Sequence, residues 1–332
     1  MFSSDRTFVI CEQSQTHEGD LGLAKLLIKA AAVAQADAVK FQTFTADELA
    51  VPSYKYYPLF KKLEWSTPQW KELIDESHRC GLKAMADVFG GASAQMLTSI
   101  GIDALKIHAT DIRNRPLLEE LAGMDVPLLL SAGGSHIKEM KEALRVLGLK
   151  GKKGRPLVVM HGFQSYPTLI EHTNLLKMKL FGDALGLPYG FADHIDGNHH
   201  QKLSLCAMAM GMGACVIEKH ITVSRILKME DYESALDPTD FVEFVAKVRE
   251  LDQAKGIAVD ELIPVEENYR KATRKHVTAT RGISKGDMIS AKDVALKRSH
   301  TEFLPADIDQ IIGRRMGRDV EVNEVVSQHD VL

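Results

Sequence analysis

Cysteine is scarce: Cys11, Cys80, Cys206 and Cys215 are the only four in 332 residues, with no CxxC pair and no metal-type spacing. That excludes a zinc ribbon, a dithiol redox motif and a fold stapled by disulfides, and the four read as buried, reduced thiols. Long apolar runs are also missing. No uncharged stretch exceeds 15 residues, as in Leu203–Ile217, whereas a helix needs about 20 to cross a bilayer. The opening MFSSDRTFVI has neither the basic start nor the long apolar centre of a secretory signal, so a cytoplasmic location is expected. The net charge of −4 supplies no basic surplus for nucleic acid. There is no Walker loop or HExxH pair. Gly211 and Gly213 follow a helical stretch and precede a strand-like one, the wrong order for a dinucleotide loop.

What is present is an alternation of short β-branched or aliphatic runs with longer amphipathic ones, the pattern of βα units around a parallel sheet. Eight strands are expected: Phe8–Glu12, Ala38–Gln42, Leu82–Asp87, Ala104–Ile107, Val126–Ser131, Leu157–His161, Tyr189–Asp193 and Cys215–His220. Helices are expected between them, at Leu21–Gln35, from Pro68, and at Pro116–Ala122, Ser135–Leu147, His172–Leu185, Gln201–Met210 and Asp237–Lys255. In the first, Leu23, Leu26, Leu27, Ala30 and Ala31 recur at helical spacing. An insertion carrying Tyr54, Tyr56, Tyr57, Phe60 and Trp65 follows the second strand, where lids and substrate loops are often built.

Eight units over residues 7–256 match the roughly 250 residues of a (β/α)8 TIM barrel; an open, doubly wound sheet is the competitor. Polar residues at the strand ends favour the barrel. Glu12, Lys40 with Gln42, Asp87, Lys106, Ser131, His161, Asp193 with His194, and Glu218 with His220 all fall there. In a barrel those ends converge on one mouth, and buried charges need partners or a ligand.

His194 and His220 end consecutive strands. Adjacent strands lie about 4.8 Å apart, so two imidazoles there could share a divalent metal such as Mn²⁺, Fe²⁺, Co²⁺ or Zn²⁺; singly, each is as readily a hydrogen-bonded structural histidine. Lys40 and Lys106 aim at the same mouth and suit phosphate or carboxylate, the alternative being internal salt bridges with Glu12 and Asp87. Glu12 could be a general base, a metal ligand or a lysine partner.

After residue 256 the rhythm changes. Residues 257–275 read as a linker with a charged helical part, and 276–332 as a small β-rich module. From Arg270 to Arg318 there are twelve Lys or Arg and five Asp or Glu, a surplus of +7 that leaves −11 on the rest of the chain. Such an asymmetry is either a solvated face or a basic module for an acidic body or anionic ligand.

The segments CEQSQTHEGD, DAVKFQTF, LKIHATD, LLLSAGG, HGFQSYP, GFADHIDG and VIEKHIT, in this order, resemble the sialic acid (N-acetylneuraminate) synthase family, with its spore-coat polysaccharide and pseudaminic or legionaminic acid relatives. KHVTATRGISKGDMISAKDVALKR is similar to that family's antifreeze-like C-terminal domain, and the match covers almost the whole chain. The resemblance implies a metal-dependent condensation of phosphoenolpyruvate with an open-chain N-acyl hexosamine, in a domain-swapped homodimer. It places Mn²⁺ on His194 and His220 and proton handling on Glu12. Lys40, Lys106 and Ser131, with Gln164 near them, would hold the donor's phosphate and carboxylate. Gln42, Tyr166, Asp111 and Asp231 would line the sugar side, with Arg298 reaching in from the partner subunit.

This chain departs from the family pattern at several of these positions. Asp87 stands where the family has a threonine, and Ala109 and Ala192 stand where it has serines. Thr16-His17 replaces an asparagine-histidine pair, and Lys228, Met229, Glu230 and Asp231 replace a Gly-Pro-Asp stretch. Ionised Asp87 would repel a phosphate unless protonated or paired with Lys40 or Lys106. Two other readings therefore stand beside the synthase: a metal-assisted aldolase whose donor carries no phosphate, and a non-catalytic sugar-binding paralogue.

Overall fold

A computed structural model describes residues 1–2, 6–148, 155–162, 165–299 and 307–332. Eight parallel strands form a closed ring: β1 (Phe8–Glu12), β2 (Ala38–Thr43), β3 (Lys83–Val88), β4 (Ala104–Ile107), β5 (Leu128–Ser131), β6 (Leu157–His161), β7 (Tyr189–Asp193) and β8 (Val216–Ile221). Each pairs with the next, and β8 closes on β1 with Glu12 opposite His220. This is a TIM barrel, not an open sheet. A two-residue β9 (Ala235–Leu236) adds to β8.

The period-two alternation of a strand divides each sequence between two layers. Ile10, Ala38, Met85, Ala104, Leu129 and Val158 fill the barrel interior. Residues one position away, such as Val9, Val39, Ala84, Leu105, Leu128 and Ile217, pack outward beneath the helices.

The first helix shows how the outer layer is sealed. Asp20 caps it by accepting from the Gly22 and Leu23 amides, and Ala24, Leu27, Ile28 and Ala31 form its buried stripe. Leu26, expected on that stripe, is 55% exposed. The apolar positions admit two overlapping faces, and docking selects the one centred on Leu27 and Ile28.

In the insertion after β2, Phe44 and Leu63 meet Phe89 from the loop after β3 in a small core of their own, while Tyr54 and Tyr56 are exposed. The helix Thr67–Arg79 begins with Pro68 in its first turn and a capping box between Ser66 and Gln69.

The chain divides into two compact units, Met1–Ile257 and Ala258–Leu332. The second has a helix, Pro264–Thr273, and an antiparallel pair, β10 (Lys275–Ala279) with β11 (Val294–Arg298). Its own core includes Val277, Ile283, Ile289, Ile311, Met316 and Val320. No helix among the described residues is long and apolar enough to cross a membrane.

Candidate active site

The upper layer of the barrel interior is charged. On β1 to β4 the alternation that turns Ile10, Ala38, Met85 and Ala104 inward also turns in Glu12, Lys40, Asp87 and Lys106, and β8 adds Glu218. All five are buried. Lys40 Nζ contacts Asp87 Oδ2, lies 2.5 Å from Glu12 Oε2 and sits 3.6 Å from Glu218 Oε1. Lys106 Nζ donates to both Glu218 oxygens, at 2.7 and 2.9 Å, and lies 3.9 Å from Asp87. Both lysines therefore make internal salt bridges in this state, and Asp87 is paired.

Three carboxyl groups thus face two ammonium groups, and the surplus falls on Glu12. Burial, reinforced by Glu218 and Asp87 against the pull of Lys40, raises its pKa from 4.5 to about 8. Burial would raise Glu218 as well, but Lys106 and Lys40 hold it down at about 2. For Lys40, burial pulls downward, yet Asp87, Glu12 and Glu218 together keep its pKa well above the ordinary value. Glu12 is therefore the group that keeps a proton at neutral pH. Glu218 is placed in the strand-end ring by its sequence position, but its part as the partner of Lys106 is not legible there.

His194 and His220 lie side by side on the same mouth, ring centroids 5.2 Å apart, and Tyr166 stands against both at 5.1 and 5.8 Å. Burial lowers the His194 pKa to about 4, and burial together with the neighbouring His194 puts His220 well below its ordinary value. Both rings are neutral at pH 7, the form that binds metal. His220 Nδ1 is buried with no hydrogen-bond partner. Among the described residues, no group of three or more His, Cys, Asp or Glu side chains converges to hold an ion. Two nitrogen donors would leave a metal's other positions to water or substrate, which suits an open catalytic metal rather than a closed structural one. Glu12 stays with Lys40.

The other expected residues divide by strand face and position. Ser131 is buried at the end of β5. Gln42, on the face of Lys40, accepts from Gln15 Nε2 at 3.2 Å. Asp111 sits in a 3₁₀ turn after β4 and accepts from Asn114 Nδ2 at 2.7 Å. With Thr110, Tyr54, Phe60 and Phe89 it borders a cavity of about 450 Å³. Asp231 adopts a left-handed conformation, φ 59°, in the loop after β8, and burial raises its pKa. Ala192 lies among the inner apolar residues and offers only a methyl group there. Arg298 is exposed at the end of β11 in the second unit, and Gln164 lies outside the described residues.

Two residues of the strand-end ring belong elsewhere. His161 and Asp193 have the outward parity: His161 contacts the Thr173 carbonyl at 2.8 Å, and Asp193 pairs with Lys219. Sequence reasoning also passes over Arg225. Its Nη1 donates to the carbonyls of Tyr232, Glu233 and Ala235 and its Nη2 to Asp196, clamping the loop that carries Asp231 to the turn after His194. Next to β8, on the loop after β1, Thr16 Oγ1 donates to the Gln13 and Ile221 carbonyls, and the His17 and Trp65 rings lie 4.2 Å apart, tilted by 31°.

Comparison with known proteins fits this architecture. Residues 27–260 match the model of the NeuB family, and residues 274–332 match the SAF domain. The chain belongs to the NeuB family. It is 33% identical to the N,N'-diacetyllegionaminic acid synthase of Legionella pneumophila, over 96% of this chain and 92% of that protein. It is 30% identical to the spore coat polysaccharide biosynthesis protein SpsE of Bacillus subtilis, over 88% and 83%. A solved N-acetylneuraminic acid synthetase from Leptospira borgpetersenii superposes with a TM-score of 0.74 at 29% identity, covering 81% of this chain and 92% of that one. This NeuB chain is a carbon–carbon bond-forming enzyme of the sialic acid synthase kind.

Proposed function

We propose that this enzyme condenses phosphoenolpyruvate with the open-chain aldehyde of an N-acyl hexosamine, using a divalent metal, Mn²⁺, in sialic acid-type or surface polysaccharide biosynthesis. In this reaction C3 of the donor bonds to the aldehyde carbon and water adds at C2. The C2–O bond to phosphate breaks, and the aldehyde oxygen takes up a proton. The observation that carries the reading is the pairing, in one mouth, of two neutral imidazoles with two buried lysines.

His194 and His220 would hold the metal, which when bound supplies a Lewis acid for the aldehyde oxygen. Lys40 and Lys106 exchange their internal carboxylates for the donor's phosphate and carboxylate, with Ser131 and Gln164 beside them. Glu12 hands over or takes up the proton, since its pKa of about 8 lies close to working pH. Tyr166, Gln42, Asp111 and Asp231 line the acceptor side. A cytoplasmic location belongs to the same proposal, as do the homodimer and the part played by Arg298, which rest on the resemblance.

A second reading is favoured by Asp87. Its Oδ2 contacts Lys40 and its Oδ1 is buried without a hydrogen-bond partner, which neutralises the cation a phosphate would need. A metal-assisted aldol reaction with a donor lacking phosphate would use the mouth as it stands.

Incubation with phosphoenolpyruvate and a panel of N-acyl hexosamines, with and without Mn²⁺, separates these readings. Metal-dependent phosphate release is expected. Pyruvate formed or consumed without phosphate turnover would favour the second reading, and no turnover of either donor would refute both.

A further inference from the structure

One pair of buried charges has no part in the chemistry above. Asp193 and Lys219 face each other in the β7–β8 register, with Nζ 2.9 Å from Oδ2 and both side chains fully buried. Strand alternation turns them away from the mouth, toward the helix Ser204–Gly211, whose Cys206 Sγ lies 3.5 Å from the same Asp193 oxygen. Each immediately precedes one of the two histidines.

Asp193 also acts on the backbone. Its Oδ1 accepts from the Ile195 amide at 3.1 Å, closing a turn that spans His194. The His194 carbonyl in turn accepts from the Thr168 amide at 2.8 Å and from Ser234 Oγ at 2.7 Å. The carboxylate thus brackets His194 on β7 while gripping the residue before His220 on β8. An ion pair this deep is a poor source of stability, because desolvation offsets its attraction and a well-packed apolar pair does as well or better. What it does supply is a fixed relation between the two strand ends.

We infer that the Asp193–Lys219 ion pair is a positioning device that sets the spacing and aim of the His194 and His220 imidazoles and so governs metal affinity. The inference rests on the reading of the histidines as metal ligands. The strand ladder alone fixes the Cα positions; the direction of the His194 side chain depends on the torsions that the Asp193 turn holds.

The test is Mn²⁺ titration of the full chain, following the electron paramagnetic resonance signal of free Mn²⁺, beside calorimetric melting. The double variant Asp193→Leu, Lys219→Met replaces the pair by apolar groups. It should still fold, its melting temperature lowered only as far as the lost Ile195 hydrogen bond requires, yet bind Mn²⁺ about 10- to 100-fold more weakly, the usual cost of losing a partner behind a ligand. Lys219→Arg, which keeps the charge, should restore wild-type affinity. If the double variant does not fold, Asp193→Asn carries the same test through a loss of about tenfold. A folded variant that binds Mn²⁺ as tightly as the wild type would overturn the inference and leave the metal reading intact. A wild-type protein that holds neither Mn²⁺, Co²⁺ nor Zn²⁺ at millimolar concentration would remove the metal reading and this inference with it.

Discussion

Replacing Glu12 by glutamine removes a titrating group from the centre of the charged layer while keeping its shape and one of the two oxygens that meet the Ser14 amide and Lys40. In the folded protein Glu12 keeps its proton up to about pH 8, whereas its ordinary value is 4.5. Between those values the folded state holds a proton that the unfolded chain has lost. Stability contributed by this group is therefore full below pH 4.5 and falls as pH rises, by about 1.4 kcal/mol per pH unit. Across the window of about 3.5 units the loss sums to about 5 kcal/mol, or about 10 °C in melting temperature at about 2 °C per kcal/mol for a domain of this size. Glu12→Gln lacks the titration. Calorimetric melting at pH 5, 6, 7 and 8 should show the two proteins diverging, the variant becoming the more stable one toward pH 8. Its turnover should fall at least about 100-fold, as loss of a general acid or base does. Parallel melting curves across that range would refute the reasoning that Glu12 carries the surplus proton.

Three other outcomes follow from the geometry. Asp87→Asn frees Lys40 from a carboxylate, so the KM for phosphoenolpyruvate should fall about tenfold in a phosphate-release assay; an unchanged KM would show that Asp87 does not oppose the phosphate. His220→Ala removes one of two nitrogen donors and should abolish Mn²⁺ binding by calorimetric titration, and chelation of the wild type should stop turnover until Mn²⁺ is returned. In Gly162→Ala the new Cβ would lie 2.5 Å from the Ala192 carbonyl oxygen and 2.9 Å from its Cβ. Overpacking of that kind should cost about 1–3 kcal/mol in chemical denaturation and, because His194 Cε1 is only 3.2 Å away, weaken metal binding as well.

The strands were legible because each is a short apolar run with a polar residue at or next to its end, and the observed ends differ from expectation by at most two residues. What a strand end does not declare is its face. His161 and Asp193 read like the mouth residues in sequence, and only the register sends them to the helix layer. Glu218 was visible for the same reason but distinguished by nothing local; its importance comes from Lys106 on the opposite side of the ring, 112 positions earlier. The helix Gly91–Ser99 escaped because it starts with glycine and has small residues on several sides, and because the Ser93 amide at its start is satisfied by Glu48, 45 residues upstream. The long helix expected from His172 begins instead at Leu176, after Asn174 takes φ 44° and breaks the run.

The ordering of the charged layer along the chain bears on how the protein reaches its native state. The two lysines come from the second and fourth strands, whereas Glu218, which neutralises Lys106, arrives with the eighth. A nascent or truncated half-barrel would leave Lys106 without its two hydrogen bonds to Glu218, with Asp87 at 3.9 Å as its remaining counterion, and water would have to enter to solvate it. Sealing the ring and matching its charges are thus one event, which ties the two halves of the barrel into a single cooperative step and disfavours a dry, self-sufficient N-terminal half.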